Sequence, residues 1–120
     1  MRKKMIEKTM MLILVTFLFT ACEYKYIEPE PVPSNVSFAT DIAPIFNSCN
    51  ISGCHSTGSV APDLTGGVAY TSIISGGYVS TSDPQNSILY EEVIGPMSGY
   101  CSSADAAKIL EWIKQGAQNN

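Results

Sequence analysis

Three prolines at alternate positions, Pro29, Pro31 and Pro33, interleaved with Glu28 and Glu30, constrain this chain more than any other feature. Proline lacks an N–H and disfavours helical geometry in the residue before it, so Glu23 to Ser34 (EYKYIEPEPVPS) cannot form a helix and is predicted to be an extended tether. What can pack runs from about Val36 to Gly116, roughly 80 residues, a size at which an apolar core alone is marginal. One small domain is expected, needing a staple or a cofactor, and a second independent core is excluded.

Ahead of the tether, Arg2, Lys3, Lys4 and Lys8 precede a mostly apolar run, Met10 to Phe19, which ends at Thr20-Ala21-Cys22. That run is too short to span a bilayer, which takes about 20 residues, and the pattern predicts a processed leader over residues 1–21. Leu18-Phe19-Thr20-Ala21-Cys22 resembles the lipobox of bacterial lipoproteins. The resemblance implies cleavage before Cys22, acylation of its thiol, and export with a lipid anchor on a bacterial cell membrane, facing the periplasm or the cell surface. Two or three acyl chains, at about 0.8 kcal/mol per buried CH₂, hold a small protein firmly. An ordinary signal peptide or an uncleaved anchor is the alternative.

Cleavage there leaves three lysines against ten acids, a net charge of −7, which argues against a nucleic-acid partner. Export also puts the remaining cysteines in an oxidising compartment, where thiols become disulfides or are consumed by a covalent cofactor.

Four helical pieces are predicted, and no stretch alternates apolar and polar residues long enough for a sheet, so the fold class is all-α with long loops. The first piece starts near Thr40 as cap, puts Ile42, Ile45 and Phe46 on one face, tolerates Pro44 in its first turn and ends before Cys49. A second, Ala69 to Ile74, turns Ile73 and Ile74 inward and stops at Gly76-Gly77. The third follows Asp83-Pro84 and carries Ile88, Leu89 and Val93 to Gly95-Pro96. In the last, Ser102 and Asp105 form an S-x-x-D cap, and Ala106, Ile109, Leu110 and Ile113 recur at helical spacing up to Gly116.

The chemistry-bearing motif is Cys49-Asn50-Ile51-Ser52-Gly53-Cys54-His55, two cysteines followed directly by the only histidine. A c-type haem needs two thiols to add across its vinyl groups and an imidazole directly after the second to reach the iron. Four residues separate the cysteines here instead of the usual two, and Gly53 allows the extra residues to bulge. Once the leader is removed, Met97 is the one methionine left, in the loop Gly95-Pro96-Met97-Ser98-Gly99. It is the natural sixth ligand if the iron is six-coordinate.

In order, SFATDIAPIF before the cysteines, PDL after the histidine, a glycine turn with Tyr78, SILY, the loop methionine and the closing WIKQGA resemble a single-haem cytochrome c domain of the kind carried by bacterial lipoproteins. The resemblance covers Ser37 to Gly116. It implies one covalent haem c, with Cys49 and Cys54 as thioethers, His55 as proximal and Met97 as distal iron ligand. It further implies that a carbonyl near Pro62 accepts the other ring N–H of His55, and that the first and last helices pack together, Ile45 and Phe46 meeting Ile109, Leu110 and Ile113. The boundaries expected are leader 1–21, tether 22–36, cytochrome c-like domain 37–117 and tail 118–120. Such a protein is an electron carrier rather than an enzyme, its partners being redox proteins, basic ones by charge complementarity, and the membrane that holds its lipid.

Three other readings compete. Cys49, Cys54, His55 and Cys101 make a Cys₃His set that zinc would accept, although Cys54 and His55 are adjacent. A disulfide among the same cysteines would make a structural or binding lipoprotein without haem. A Cys/His nucleophile lacks an oxyanion site. Cys101 stands where the cytochrome pattern has an apolar residue. Asp83, Glu91, Glu92, Asp105 and Glu111 read as solvated surface, and most of the tyrosines as core packing.

Overall fold

The structure, a computed structural model, describes residues 2–4, 6 and 31–120. Nearly all of the leader and most of the tether, Cys22 among them, lie outside those residues. Among the described residues every regular element is helical and there is no strand, as an all-α class requires. No described helix is long and apolar enough to cross a membrane.

The opening helical segment is irregular because of its proline. Phe38–Ile42 is π-helical and Ala43–Ser48 is 3₁₀, with Pro44 at the junction. Proline cannot donate to the ladder and crowds the carbonyl four residues back, so the helix widens before Pro44 and tightens after it. Its cap is Ser37, three residues earlier than the expected Thr40: Ser37 Oγ accepts from the Thr40 N–H at 3.3 Å, and Asp41 Oδ2 accepts from the Ser37 N–H at 2.8 Å. Two more donors of this first turn end on Asn120. Ala39 N–H meets its main-chain oxygen at 2.9 Å and Phe38 N–H its side-chain oxygen at 2.8 Å. The tail, residues 118–120, is thus docked through Asn120, because unpartnered N–H groups at a helix start need acceptors.

Helix α1 (Ala69–Ser75) ends at Gly76 as predicted. Ile73 is fully buried in it, whereas Ile74, expected inside, is 39% exposed. A two-turn helix presents one narrow stripe to the core, and the next residue lies about 100° around the axis. A 3₁₀ turn, Pro84–Asn86, precedes α2 (Ile88–Ile94), the two pieces being separated by extended Ser87. Ser87 is buried, its hydroxyl accepting from Ser80 N–H at 2.9 Å and donating to Ser80 O at 3.2 Å, which breaks what the sequence suggested was one helix.

Helix α3 (Ser103–Lys114) matches expectation at its start, Ser102 Oγ accepting from Asp105 N–H at 3.1 Å. Its buried stripe is Ala106, Ile109, Trp112 and Ile113, and Leu110 is half-buried instead. The large indole of Trp112 wins the core-facing position, turning the stripe away from Leu110. Trp112 packs beside Phe38 at 5.3 Å and Tyr70 at 6.3 Å between ring centroids, and its Nε1–H donates to Gln118 O at 2.9 Å. α3 lies against the opening segment and against α2. Phe46, Ile109 and Ile113 share one core, with Ile45 packed against it only in part. Val36, from which the packed part is expected to run, belongs to that core.

Candidate cofactor site

Cys49 ends the opening segment, its N–H donating to Phe46 O at 2.9 Å. The four residues after it close on themselves: Cys54 N–H donates to Ile51 O at 3.0 Å, and His55 N–H to Cys49 O at 3.0 Å. Gly53, at φ +84°, makes the turn possible, since a left-handed backbone costs a side chain about 1 kcal/mol or more. The extra pair of residues is thereby absorbed in an exposed loop, and both cysteines stay beside the histidine.

The chain then wraps around the imidazole. Leu64 N–H donates to His55 O at 2.8 Å and Val60 N–H to Cys54 O at 2.9 Å, bringing two carbonyls onto the ring. His55 Nδ1 lies 3.1 Å from Pro62 O and 3.2 Å from Val60 O. Carbonyl oxygens only accept, so Nδ1 carries a proton, and in the neutral imidazole it is the Nε2 lone pair that is left free. The resemblance implied one carbonyl near Pro62; the structure has two in that loop on the ring. Asp63 braces this loop, its Oδ1 accepting from Thr65 N–H at 2.9 Å. Hydrogen bonds from the Thr65 side chain and backbone, then from Thr57, hold its carboxyl below the usual range.

Met97 reaches the site from the loop after α2. Its N–H donates to Glu92 O at 2.8 Å, and Tyr100 N–H donates to Met97 O at 2.9 Å. Met97 is half-buried while Gly95, Pro96, Ser98, Gly99 and Tyr100 around it are exposed, so this loop turns its thioether inward.

A hollow of about 250 Å³ is lined by all four residues singled out by sequence, Cys49, Cys54, His55 and Met97. An adjoining one of about 290 Å³ shares Cys49, His55 and Met97 and is walled by Phe46, Leu64, Tyr78, Leu89 and Val93. The pair forms a mainly apolar cleft against the imidazole. Val60, Ile88 and Tyr100 stand exposed at its edges. Ile88, the first residue of α2, is 48% exposed here.

The donor set fits a haem: an imidazole with a free Nε2, a soft thioether, two thiols at the rim, and apolar walls for a macrocycle. It does not fit zinc, because among the described residues no group of three or more His, Cys, Asp and Glu side chains stands together as a metal cluster. Cys49, Cys54 and Cys101 are separate thiols. No family model, curated protein or solved structure matches the chain.

Proposed function

We propose that this chain is a membrane-anchored, monohaem c-type cytochrome that carries one electron at a time and is not itself an enzyme. The observation that supports this best is the meeting of Cys49, Cys54, His55 and Met97 on one hollow, with the His55 proton committed to two carbonyls. Cys49 and Cys54 would hold the group through thioethers, with His55 as proximal and Met97 as distal iron ligand. Bound there, haem c supplies a reversible ferrous/ferric couple. The domain fold is then a small cytochrome c-like one, and the packing of α3 on the opening segment beside the site supports it.

The protein's own residues do the rest. The Val60 and Pro62 carbonyls fix the imidazole tautomer and make Nε2 a stronger donor. The Met97 sulfur, a soft ligand, favours the reduced state, and Phe46, Leu64, Leu89 and Val93 exclude water, which acts in the same direction. A net charge of −7 beyond the leader attracts basic redox partners and speeds their encounter. The Cys22 lipid and the proline-rich tether hold the domain off a bacterial membrane after export.

The test is a haem stain after denaturing electrophoresis of protein made in a host with haem-ligation machinery, since only covalent haem survives. Wild type stains, the double variant Cys49→Ala, Cys54→Ala does not, and Cys101→Ala still does. A folded, colourless wild type overturns the reading.

A further inference from the structure

We propose that Cys101 forms a disulfide with Cys49 whenever Cys49 carries no thioether, guarding one of the two attachment thiols until it is reduced. The guarding role rests on the haem reading; the pairing itself rests on geometry. Ser48 Oγ lies 3.7 Å from Cys49 Sγ and donates to Tyr100 O at 3.1 Å. That carbonyl belongs to the peptide group that carries the Cys101 nitrogen, so two contacts, Cys49 Sγ to Ser48 Oγ and Ser48 Oγ to Tyr100 O, link Cys49 to the peptide just before Cys101. Cys101 is 8% exposed, a member of the core against which Cys49 packs. Cys54, by contrast, lines the same open hollow as Cys49, and Cys101 lines neither hollow. Among the described residues Cys101 is thus the one buried thiol, packed in the core that Cys49 touches and outside the lining of the cofactor cleft.

The two thiols suit different steps. Burial, then the nearby Asp105 and Cys49, push the Cys101 thiol up to about 11, which makes it a poor first nucleophile. Its S–H has a weak contact, 3.7 Å to Ser102 O. Cys49 is half-exposed at the rim, so the first attack on an external oxidant falls to it. The oxidant is a protein disulfide of the exported compartment. Cys49 sulfur attacks one of its sulfurs to give a mixed disulfide, and Cys101 sulfur then displaces that sulfur. One S–S bond forms within the chain and one breaks in the oxidant, which leaves as a dithiol carrying both hydrogens and both electrons. A reducing dithiol reverses the exchange and frees Cys49.

The full chain is exported in a host without haem-ligation machinery, purified without reductant, alkylated with iodoacetamide, digested with pepsin and mapped by mass spectrometry. The expected result is a peptide joining Cys49 to Cys101, alkylated Cys54, and an intact mass lighter by two hydrogens until a dithiol reductant is added. A Cys49–Cys54 link, or alkylation of all three, overturns the pairing. In a haem-ligating host under oxidising growth, an added dithiol raises the haem stain of wild type but not of Cys101→Ala or Cys101→Val; a wild-type stain indifferent to the dithiol overturns the guarding role. The peptide map uses wild type alone, so it is decisive even if those variants misfold. A linked Cys49–Cys101 peptide from a chain that takes no haem in a ligating host upholds the disulfide and defeats the haem reading.

Discussion

Met97 is the half-buried member of a loop whose neighbours from Gly95 to Tyr100 are exposed, and nothing in the core requires it there. On the cytochrome reading, replacing it therefore tests ligation apart from packing. Met97→Ala should keep the haem stain, lose the weak near-infrared absorption of an iron–methionine bond in the oxidised protein, and lower the midpoint potential in a redox titration. Asp63 acts at the same scale on the other side of the imidazole. Its folded pKa is depressed, so the ionised carboxylate stabilises the loop fully above the usual value near 4 and that contribution fades as pH falls through the folded pKa. Asp63→Asn should show a smaller loss of thermal stability than wild type on acidification below about pH 4, read as melting temperature against pH. His55, Cys49, Cys54 and Met97 could be singled out in the sequence because their chemistry is fixed by residue type, and the structure brings them to one hollow. That two carbonyls, of Val60 and Pro62, share the imidazole could not be read there, since a backbone oxygen becomes a partner only once the chain has wrapped.

At the scale of elements, what is local was readable and what is long-range was not. The Ser102 cap depends on Asp105 three residues away, so its sequence signal sufficed. Ser102→Ala should cost about 1 kcal/mol in denaturant unfolding, since the N-terminal turn of α3 loses an acceptor. The opening segment behaves differently. Thr40 looks as good a cap as Ser37, but Asn120 supplies acceptors to Phe38 and Ala39, and its position some 80 residues along the chain is invisible in any window. In the same way Ser87, buried and bonded twice to Ser80, splits a helix that the apolar spacing draws as continuous. Charge patterning needed context too. Asp83, Glu91 and Glu92 are exposed as expected, while Asp105 and Glu111 are half-buried and pair with Lys108 and Lys114, each at 3.8 Å.

For the whole molecule, tether and domain meet at α3. Gln115 Oε1 accepts from Val36 N–H and its Nε2 donates to Ser34 O, both at 2.9 Å, so the end of the proline-rich stretch is clamped to the last helix. If Cys22 carries the anchor, that clamp transmits the attachment to the folded body, and Cys22→Ser should move the protein from the membrane pellet to the soluble fraction while leaving its melting temperature unchanged. Continued sedimentation with membranes would defeat the lipid assignment. By itself the sequence determined the helical class, the placement of the cap at Ser102 and the stops at Gly76 and Gly95, and the chemistry available at Cys49, Cys54, His55 and Met97, because each depends on residue type or on neighbours within a turn or two. Only the tertiary structure decided which apolar residues face inward and which line the cleft, that Asn120 closes the opening segment, and that Ser48 ties the Cys49 end of that segment to the peptide before Cys101. Those outcomes depend on contacts between residues far apart in the chain, 52 positions for Ser48 and Tyr100 and 82 for Phe38 and Asn120, whose partners are chosen by competition for one small core.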